Sequence, residues 1–168
     1  MDCLHDEATG LDALARDVVE LAASLGCTVS TAESCTAGLV ASSIAGVPGA
    51  SAVLFGGAVT YTEDVKHRVL GVLETTLERY TAVSVPCAKE MAEGALSLFG
   101  SDRSVSLTGY AGPGGGTEDD PVGTVYIAVA GKGIESTVRR CSFSGDRQEV
   151  REGAAAEALR MLASSLRD

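Results

Sequence analysis

The residue whose position most suggests chemistry is Ser34, in the stretch "TVSTAESCTAGL" from Thr28 to Leu39. It stands where an alternating, strand-like run ends and a run of small residues begins. A serine at such a joint commonly caps the helix, which stabilises it by about 1 kcal/mol. The same joint can instead expose the hydroxyl as a nucleophile, with the next N–H groups, those of Cys35 and Thr36, stabilising an oxyanion. The local pattern leaves both roles open.

A nucleophilic serine needs a base, and the segment "VTYTEDVKHRVLG" offers Lys66. If Thr62 caps a helix, Tyr61 occupies N′ and Lys66 occupies N4, positions whose side chains tend to touch. The positive end of the helix dipole disfavours a charged lysine. Its pKa must fall from about 10.4 towards neutrality before it can act as a base. Glu63 and Asp64 oppose that shift unless they face solvent, and the alternative is an exposed lysine beside two acids.

Cysteine and histidine are the rival side chains for the same chemistry. Cys35 is intrinsically the stronger nucleophile, but one residue further along a helix its side chain should point about 100° away from Ser34. His5 and His67 are the only histidines, and neither stands near a second ligand type at metal spacing. A serine–histidine–aspartate triad is therefore poorly supplied, so Lys66 is the better base. We expect no metal site and no cofactor.

Two segments could bind an anion such as a phosphate. The first is the glycine-rich loop 109–123 in "LTGYAGPGGGTEDDPVGT", whose backbone N–H groups can approach an anion closely. The second is "FSGDRQEVREG", where Arg147 begins a helix and Arg151 lies one turn further on the same face. A bound anion would offset the cost of positive charge at a helix N-terminus. The alternatives are a flexible surface loop and two solvated arginines.

Alternating helices and strands must position these residues, and the apolar spacing predicts where they lie. Helices are expected from Leu11 to a cap at Gly26, at about 36–44, between Thr62 and Gly71, between Ser84 and Gly100, and from Asp146 onward. Strands are expected at 28–33, 51–61 with an irregularity at Gly56-Gly57, 103–108, 124–130 and 135–143. This order predicts an α/β fold: a three-layer α/β/α sandwich with a mixed, mainly parallel sheet of about five strands, in a single domain covering residues 1–168.

Charge and composition exclude several classes of protein. The net charge of −10 presents a repulsive average field to DNA or RNA, so we expect no nucleic-acid partner. The five cysteines are odd in number and lack C-x-x-C spacing, which favours reduced thiols in a cytoplasmic protein. No apolar run approaches the roughly 20 residues that cross a bilayer, so we expect no membrane association.

Several segments in order along the chain resemble one family: "TAESCTAGL", "PGAS", "GGAVTYTEDVK", "TGYAGPGGGTEDDPVGTVYIA" and "GDRQEVR". They are similar to the C-terminal domain of the competence/damage-inducible protein CinA, whose stand-alone relatives are nicotinamide-mononucleotide amidohydrolases. The resemblance implies a three-layer α/β fold. It also implies a small-molecule nucleotide substrate, nicotinamide mononucleotide, whose carboxamide is hydrolysed to give nicotinic acid mononucleotide and ammonia. We also expect a homo-oligomer, without the N-terminal domain that longer family members carry.

The resemblance further implies the residues of the site and favours Ser34 over Cys35. Ser34 becomes the nucleophile, Lys66 the base and Tyr61 the residue that relays or orients the proton. The residues expected to bind the substrate are Glu33, Cys35, Thr36, Thr108, Gly109, Ala111, Gly112, Gly114 and Arg147.

Three residues depart from the family pattern. Ala37 stands where a glycine is usual, Glu63 where an asparagine is common, and Tyr110 where a small aliphatic residue is common. We expect Tyr110 to narrow the pocket. The alternative function is a non-catalytic nucleotide-binding or protein-interaction module linked to competence or DNA damage, which would not need Ser34 and Lys66 together.

Overall fold

The computed structural model of the chain describes residues 10–167. Its helices are α1 (Leu11–Leu25), α2 (Leu39–Ala45), α3 (Glu63–Leu70), α4 (Glu74–Tyr80), α5 (Val85–Phe99) and α6 (Arg147–Arg167). Its strands are β1 (Val29–Glu33), β2 (Leu54–Val59), β3 (Arg103–Gly109), β4 (Thr124–Gly131) and β5 (Ile134–Ser142). Cys3 and His5 lie outside this range. Of the cysteines expected to be reduced thiols, Cys27, Cys35 and Cys87 form no disulfide within residues 10–167. None of the helices within residues 10–167 is long and apolar enough to span a membrane.

The strands form one sheet in the order β2-β1-β3-β4-β5. β1 pairs in parallel with β2 and with β3, whereas β4 pairs antiparallel with β3 and with β5. Within the described residues, four strands therefore run in one direction and β4 alone runs in the other. The predicted mixed, mainly parallel sheet is confirmed. The carboxyl ends of β1, β2 and β3 meet at one edge of it.

Helices cover both faces of the sheet and make three layers, as predicted. α1, α2 and α6 pack on one face, and α3, α4 and α5 pack on the other. Side chains alternate between the two faces of the sheet along β3, and Val105 and Leu107 enter the core under α1 and α6. The intervening Ser104 and Ser106 donate hydrogen bonds of 2.6 Å to carbonyls of α5, so their hydroxyls are satisfied in the interior.

The structure corrects three predicted boundaries. α2 begins at Leu39 instead of residue 36, because Ala37 (φ 52°) and Gly38 (φ 94°) take left-handed conformations that interrupt a helix. β2 is shorter than 51–61, since residues 50–52 form a 3₁₀ turn. The register shift of β2 falls at Phe55, directly before the predicted glycine pair. Gly56 is required there, since an added Cβ would lie 2.5 Å from the ring of Phe99.

The structure also contains a helix that the sequence pattern did not predict. α4, "ETTLERY", has one large aliphatic residue, Leu77, and therefore no apolar stripe. It is held by Glu90 of α5, whose carboxylate accepts hydrogen bonds from the backbone of Leu73 and the hydroxyl of Thr76. The loop after α4 carries Ala82 and Val83 to the carboxyl edge of the sheet.

Candidate active site

A pocket of about 210 Å³ opens at the carboxyl edge of the sheet, where the loops after β1, β2 and β3 meet. This is the edge at which α/β sheets bind ligands, because neighbouring parallel strands deliver their loops to the same place. The pocket is lined by Ser34, Cys35, Tyr61, Lys66, Ala82, Val83, Thr108, Gly109, Tyr110, Ala111, Gly112, Gly114 and Arg147. Ten of the twelve residues predicted for the site from the sequence line the pocket, and Tyr110 lines it as well.

Ser34 follows β1 directly, and its N–H donates to the carbonyl of Leu107 at 3.0 Å. Its Oγ lies 3.0 Å from Nζ of Lys66. The N-cap of α2 is Gly38, which offers no side chain, so the interpretation of Ser34 as a helix cap is wrong. The hydroxyl is therefore available for chemistry at the base of the pocket.

Glu33 performs the capping that Ser34 does not. Its fully buried carboxylate accepts hydrogen bonds from the N–H groups of Gly38 (3.0 Å), Val40 (3.1 Å) and Ala41 (2.9 Å). A carboxylate at this position also interacts favourably with the positive end of the α2 dipole. Glu33 is not among the residues that line the pocket, so substrate binding by Glu33 stays a prediction, and its observed contacts hold the start of α2 beside Ser34.

Lys66 is only 1% exposed although lysine is among the least often buried residues. Thr62 caps α3 as predicted, its Oγ1 accepting from the N–H of Val65. The Nζ of Lys66 donates to the carbonyl of Thr60 at 2.7 Å. A neutral amine can keep that bond and direct its lone pair to the Ser34 hydroxyl.

Burial lowers the pKa of Lys66 from its ordinary value of 10.5, because the interior disfavours the charged form. Cys87, Cys35 and Glu63 raise the pKa by smaller amounts. Glu63 and Asp64 are both exposed, as the base hypothesis required. The electrostatic environment thus favours a neutral Lys66 relative to a lysine in water.

Cys35 lies in the turn after Ser34 and is among the residues that line the pocket. The predicted angle of about 100° between its side chain and that of Ser34 assumed a helix, and the helix starts later, at Leu39. Burial raises the pKa of its thiol to about 11, and the N–H groups of Cys35 and Thr36 and the charge of Lys66 lower it less. The thiol is therefore protonated at neutral pH, which makes it a poor nucleophile.

The turn at Cys35 and Thr36 presents two N–H groups that donate to no carbonyl within the described chain. Both N–H groups lower the pKa of the Cys35 thiol, so both lie near its sulfur, in the turn that follows Ser34. Two N–H groups without a carbonyl acceptor beside a candidate nucleophile are what an oxyanion hole requires. Thr36 is fully buried and is not among the residues that line the pocket, so substrate binding by Thr36 stays a prediction.

Arg147 and Tyr61 form the outer wall of the pocket. Arg147 donates from Nη1 to the carbonyl of Gly112 at 2.6 Å and from Nη2 to the Tyr61 hydroxyl at 2.8 Å. Tyr61 is 55% exposed, and the hydrogen bonds of the described residues include none from it to Ser34 or Lys66. The structure therefore does not support Tyr61 as a proton relay and gives it a contact with the arginine instead.

The glycine-rich loop supplies the remaining wall. Gly109 ends β3, and an added Cβ there would lie 2.4 Å from the carbonyl oxygen of Thr124, so only glycine fits. Gly112 has φ 90°, which glycine adopts without strain. The Thr108 hydroxyl donates to the carbonyl of Ala82 at 2.7 Å and so ties the loop before α5 to the floor of the pocket.

Arg151 does not face the pocket beside Arg147, contrary to the prediction of a shared anion site. Its Nε donates to the carbonyl of Cys35 at 3.2 Å and its Nη2 to the carbonyl of Thr36 at 2.9 Å. Neither this contact of Arg151 with the turn after Ser34 nor the contact of Lys66 with the Thr60 carbonyl was predictable from the sequence motifs. A cation one turn after a pocket arginine was the available signal, but its acceptors are backbone atoms and carry no sequence signature.

His67, the histidine within residues 10–167, takes no part in the site. Nδ1 of His67 lies 2.8 Å from the carbonyl of Val72, at the other end of α3 from the pocket. Among residues 10–167, no group of three or more His, Cys, Asp or Glu side chains is placed to hold a metal ion. The side chain that hydrogen-bonds to the Ser34 hydroxyl is that of Lys66.

The fold and the site together define an α/β protein with a candidate serine–lysine centre at the carboxyl edge of its sheet. The chain belongs to the CinA C-terminal domain family, whose model matches residues 11–166. The resemblance of its motifs to that family is thereby confirmed.

Relatives and solved structures agree with this family. A CinA-like protein of Myxococcus xanthus is 47% identical over 155 residues, which make up 92% of this chain and 37% of that protein. The chain therefore spans little more than a third of the length of the curated relatives it matches. The crystal structure of competence/damage inducible protein CihA from Agrobacterium tumefaciens is 38% identical, with a TM-score of 0.92 over 98% of this chain and 100% of that one. Competence damage-inducible protein A (ComA) from Klebsiella pneumoniae is 34% identical, with a TM-score of 0.91 over 95% of this chain and 98% of that one.

Proposed function

We propose that this chain is an amidohydrolase that converts nicotinamide mononucleotide and water to nicotinic acid mononucleotide and ammonia by a serine–lysine mechanism. The observation that carries the proposal is the placement of Lys66, which is 1% exposed with Nζ 3.0 Å from Ser34 Oγ. No acidic side chain among the described residues forms an ion pair with it. Burying an amine in this way costs free energy, and a binding module has no use for it. The choice of nucleotide follows from the family resemblance of the motifs.

The reaction follows from the contacts around Ser34. Its Oγ attacks the carboxamide carbon while its proton passes to Lys66 Nζ, and the amide oxygen becomes an oxyanion facing the N–H groups of Cys35 and Thr36. Lys66 returns the proton to the amide nitrogen as the C–N bond breaks, so ammonia leaves and an ester remains on Ser34. Water then attacks the ester carbon and gives its proton to Lys66, which passes it to the departing Ser34 oxygen.

The charge of the pocket supports an anionic substrate. With Lys66 neutral, Arg147 is the lining residue that carries positive charge, and no acidic side chain within residues 10–167 lines the pocket, although the whole chain has a net charge of −10. The guanidinium of Arg147 donates to the Gly112 carbonyl of the glycine-rich loop, and a guanidinium next to a glycine-rich backbone suits a phosphate. In the proposed complex the carboxamide lies at Ser34 and the ribose phosphate at Arg147.

The test is ammonia release from nicotinamide mononucleotide by the purified wild-type chain and by Ser34→Ala. Wild type should release ammonia and nicotinic acid mononucleotide in equal amounts, and Ser34→Ala should release none above background. Ser42→Ala, which removes an exposed hydroxyl from α2, is the matched control and should behave as wild type.

The alternative function gives a different result in the same assay. A non-catalytic nucleotide-binding or protein-interaction module linked to competence or DNA damage would release no ammonia from any variant. The names of the solved relatives, which refer to competence and damage induction, keep this alternative in view. Binding of nicotinamide mononucleotide without turnover, with Ser34→Ala binding as tightly as wild type, would replace the proposal by that alternative.

A further inference from the structure

We propose that Arg151 is a positioning residue that directs the Thr36 N–H group towards the oxyanion formed at Ser34. The inference rests on Ser34 being the nucleophile, as proposed above. It assigns to Arg151 a part in the reaction although its side chain does not line the pocket.

The first step of the argument is the set of contacts that Arg151 makes. Nε donates to the carbonyl of Cys35 at 3.2 Å, Nη2 to the carbonyl of Thr36 at 2.9 Å and Nη1 to Oε1 of Gln148 at 3.1 Å. The planar guanidinium thus binds two successive carbonyl groups of the turn that follows the nucleophile. A lysine has a single nitrogen and could not reproduce this fork.

The second step concerns the peptide that joins Cys35 to Thr36. This peptide is trans, and in a trans peptide the C=O and N–H groups point in opposite directions within one plane. A carbonyl held by Arg151 therefore directs the Thr36 N–H away from the guanidinium, on the side of the Cys35 sulfur. Rotation of this peptide would remove the donor from the oxyanion position.

No other hydrogen bond within residues 10–167 restrains this peptide. The carbonyl of Cys35 accepts no backbone hydrogen bond within the described residues, so Arg151 is its hydrogen-bond partner. By contrast, the Ser34 carbonyl accepts from the N–H of Ala37 at 3.0 Å, which holds the neighbouring peptide and with it the Cys35 N–H. One oxyanion donor is thus positioned by the turn itself and the other by Arg151.

The test uses a reaction that does not depend on the natural substrate. A fluorophosphonate reacts with an activated serine: Ser34 Oγ bonds to phosphorus, fluoride leaves, and the serine proton passes to Lys66. The phosphonyl oxygen occupies the oxyanion position, so the labelling rate, followed by intact mass, reports on both donors. Arg151→Ala should label about tenfold to hundredfold more slowly than wild type, less than the loss of about a hundredfold or more when a donor is removed outright.

Two further variants separate positioning from general damage to the fold. Arg151→Lys can hold one carbonyl and should recover part of the labelling rate that Arg151→Ala loses. Gln148→Ala removes the third partner of the guanidinium and leaves both carbonyl contacts, so it should label as wild type. Circular dichroism at the assay temperature must show that every variant compared is folded.

Turnover of nicotinamide mononucleotide provides the second readout. Arg151→Ala should lower kcat by about the factor seen in labelling, with KM within about twofold of wild type, because only the transition state carries the oxyanion. The pH at which the rate rises should not move, since Lys66 is untouched. A folded Arg151→Ala variant that labels within about twofold of wild type, or one whose KM rises while kcat is unchanged, would overturn the inference.

The labelling experiment also distinguishes a failure of the inference from a failure of the proposed function. Wild type that labels at Ser34 but releases no ammonia would refute nicotinamide mononucleotide as the substrate, and the labelling rates would still decide the role of Arg151. Wild type that does not label at all would show that Ser34 is not activated, and both proposals would then be wrong.

Discussion

Replacing Glu33 by glutamine should destabilise the protein severely, although the change is a single oxygen for an NH₂ group. The carboxylate accepts three backbone hydrogen bonds at 2.9–3.1 Å and is fully buried. The amide oxygen of glutamine can accept two of them, but its NH₂ group then faces a third N–H donor. One buried N–H is left without an acceptor, which costs about 1–3 kcal/mol, and the two remaining bonds each lose about 1 kcal/mol of charge assistance.

The expected loss is therefore roughly 3–5 kcal/mol in the free energy of unfolding. For a chain of this size each kcal/mol lowers Tm by about 2–4 °C, so Glu33→Gln should unfold about 6–20 °C below wild type. Thermal unfolding followed by circular dichroism measures this, with urea unfolding as a second determination. Glu20→Gln, a change of an exposed glutamate in α1, is the matched control and should leave Tm within about 1 °C.

A small change in Tm together with a raised KM would contradict the capping role of Glu33. If Glu33→Gln unfolds within about 2 °C of wild type and instead raises KM, the carboxylate contacts the substrate, as the sequence alone suggested. The structural argument for its capping role would then be wrong.

The remaining predictions concern the chemistry of the pocket. Because burial lowers the pKa of Lys66, the rate should rise with pH as the amine loses its proton, with a midpoint below 10.5, and Lys66→Arg should be inactive at every pH since arginine keeps its proton. Near wild-type turnover by Lys66→Arg would contradict this. Cys35→Ala should keep most activity, because a thiol with a pKa of about 11 stays protonated at neutral pH. Ammonia release by the variant measures this. An inactive Cys35→Ala beside an active Ser34→Ala would make Cys35 the nucleophile instead. Arg147→Ala should weaken binding of the nucleotide about tenfold to hundredfold and leave the dephosphorylated riboside nearly unchanged, as calorimetric titration with both would show. Equal losses for the two ligands would place Arg147 away from the phosphate.

Structural features that depend only on residues close together in the sequence were predictable from it. Thr62 caps α3, which places Lys66 in its first turn, and Gly71 ends the helix in a left-handed conformation, as expected. The alternating strands and the order of helices between them likewise predict the three-layer sheet. Each of these preferences acts over a few residues and is therefore visible in a short window of sequence.

Other features were decided by the tertiary structure. Glu33 caps α2 because the left-handed residues Ala37 and Gly38 delay that helix and turn its N–H groups back to the end of β1. Arg151 contacts the turn at Cys35 because α6 packs on the sheet beside α2, although the two residues are 116 positions apart in the sequence.

Lys66 shows the division most clearly. The sequence by itself placed Lys66 in the first turn of a helix and named Ser34 as its partner through the family motifs. Whether the amine would lie in solvent beside Glu63 or in the interior beside Ser34 depended on α5 and the sheet enclosing it. Burial is a property of the whole packed chain, and it is burial that lowers the pKa of Lys66 beside Ser34.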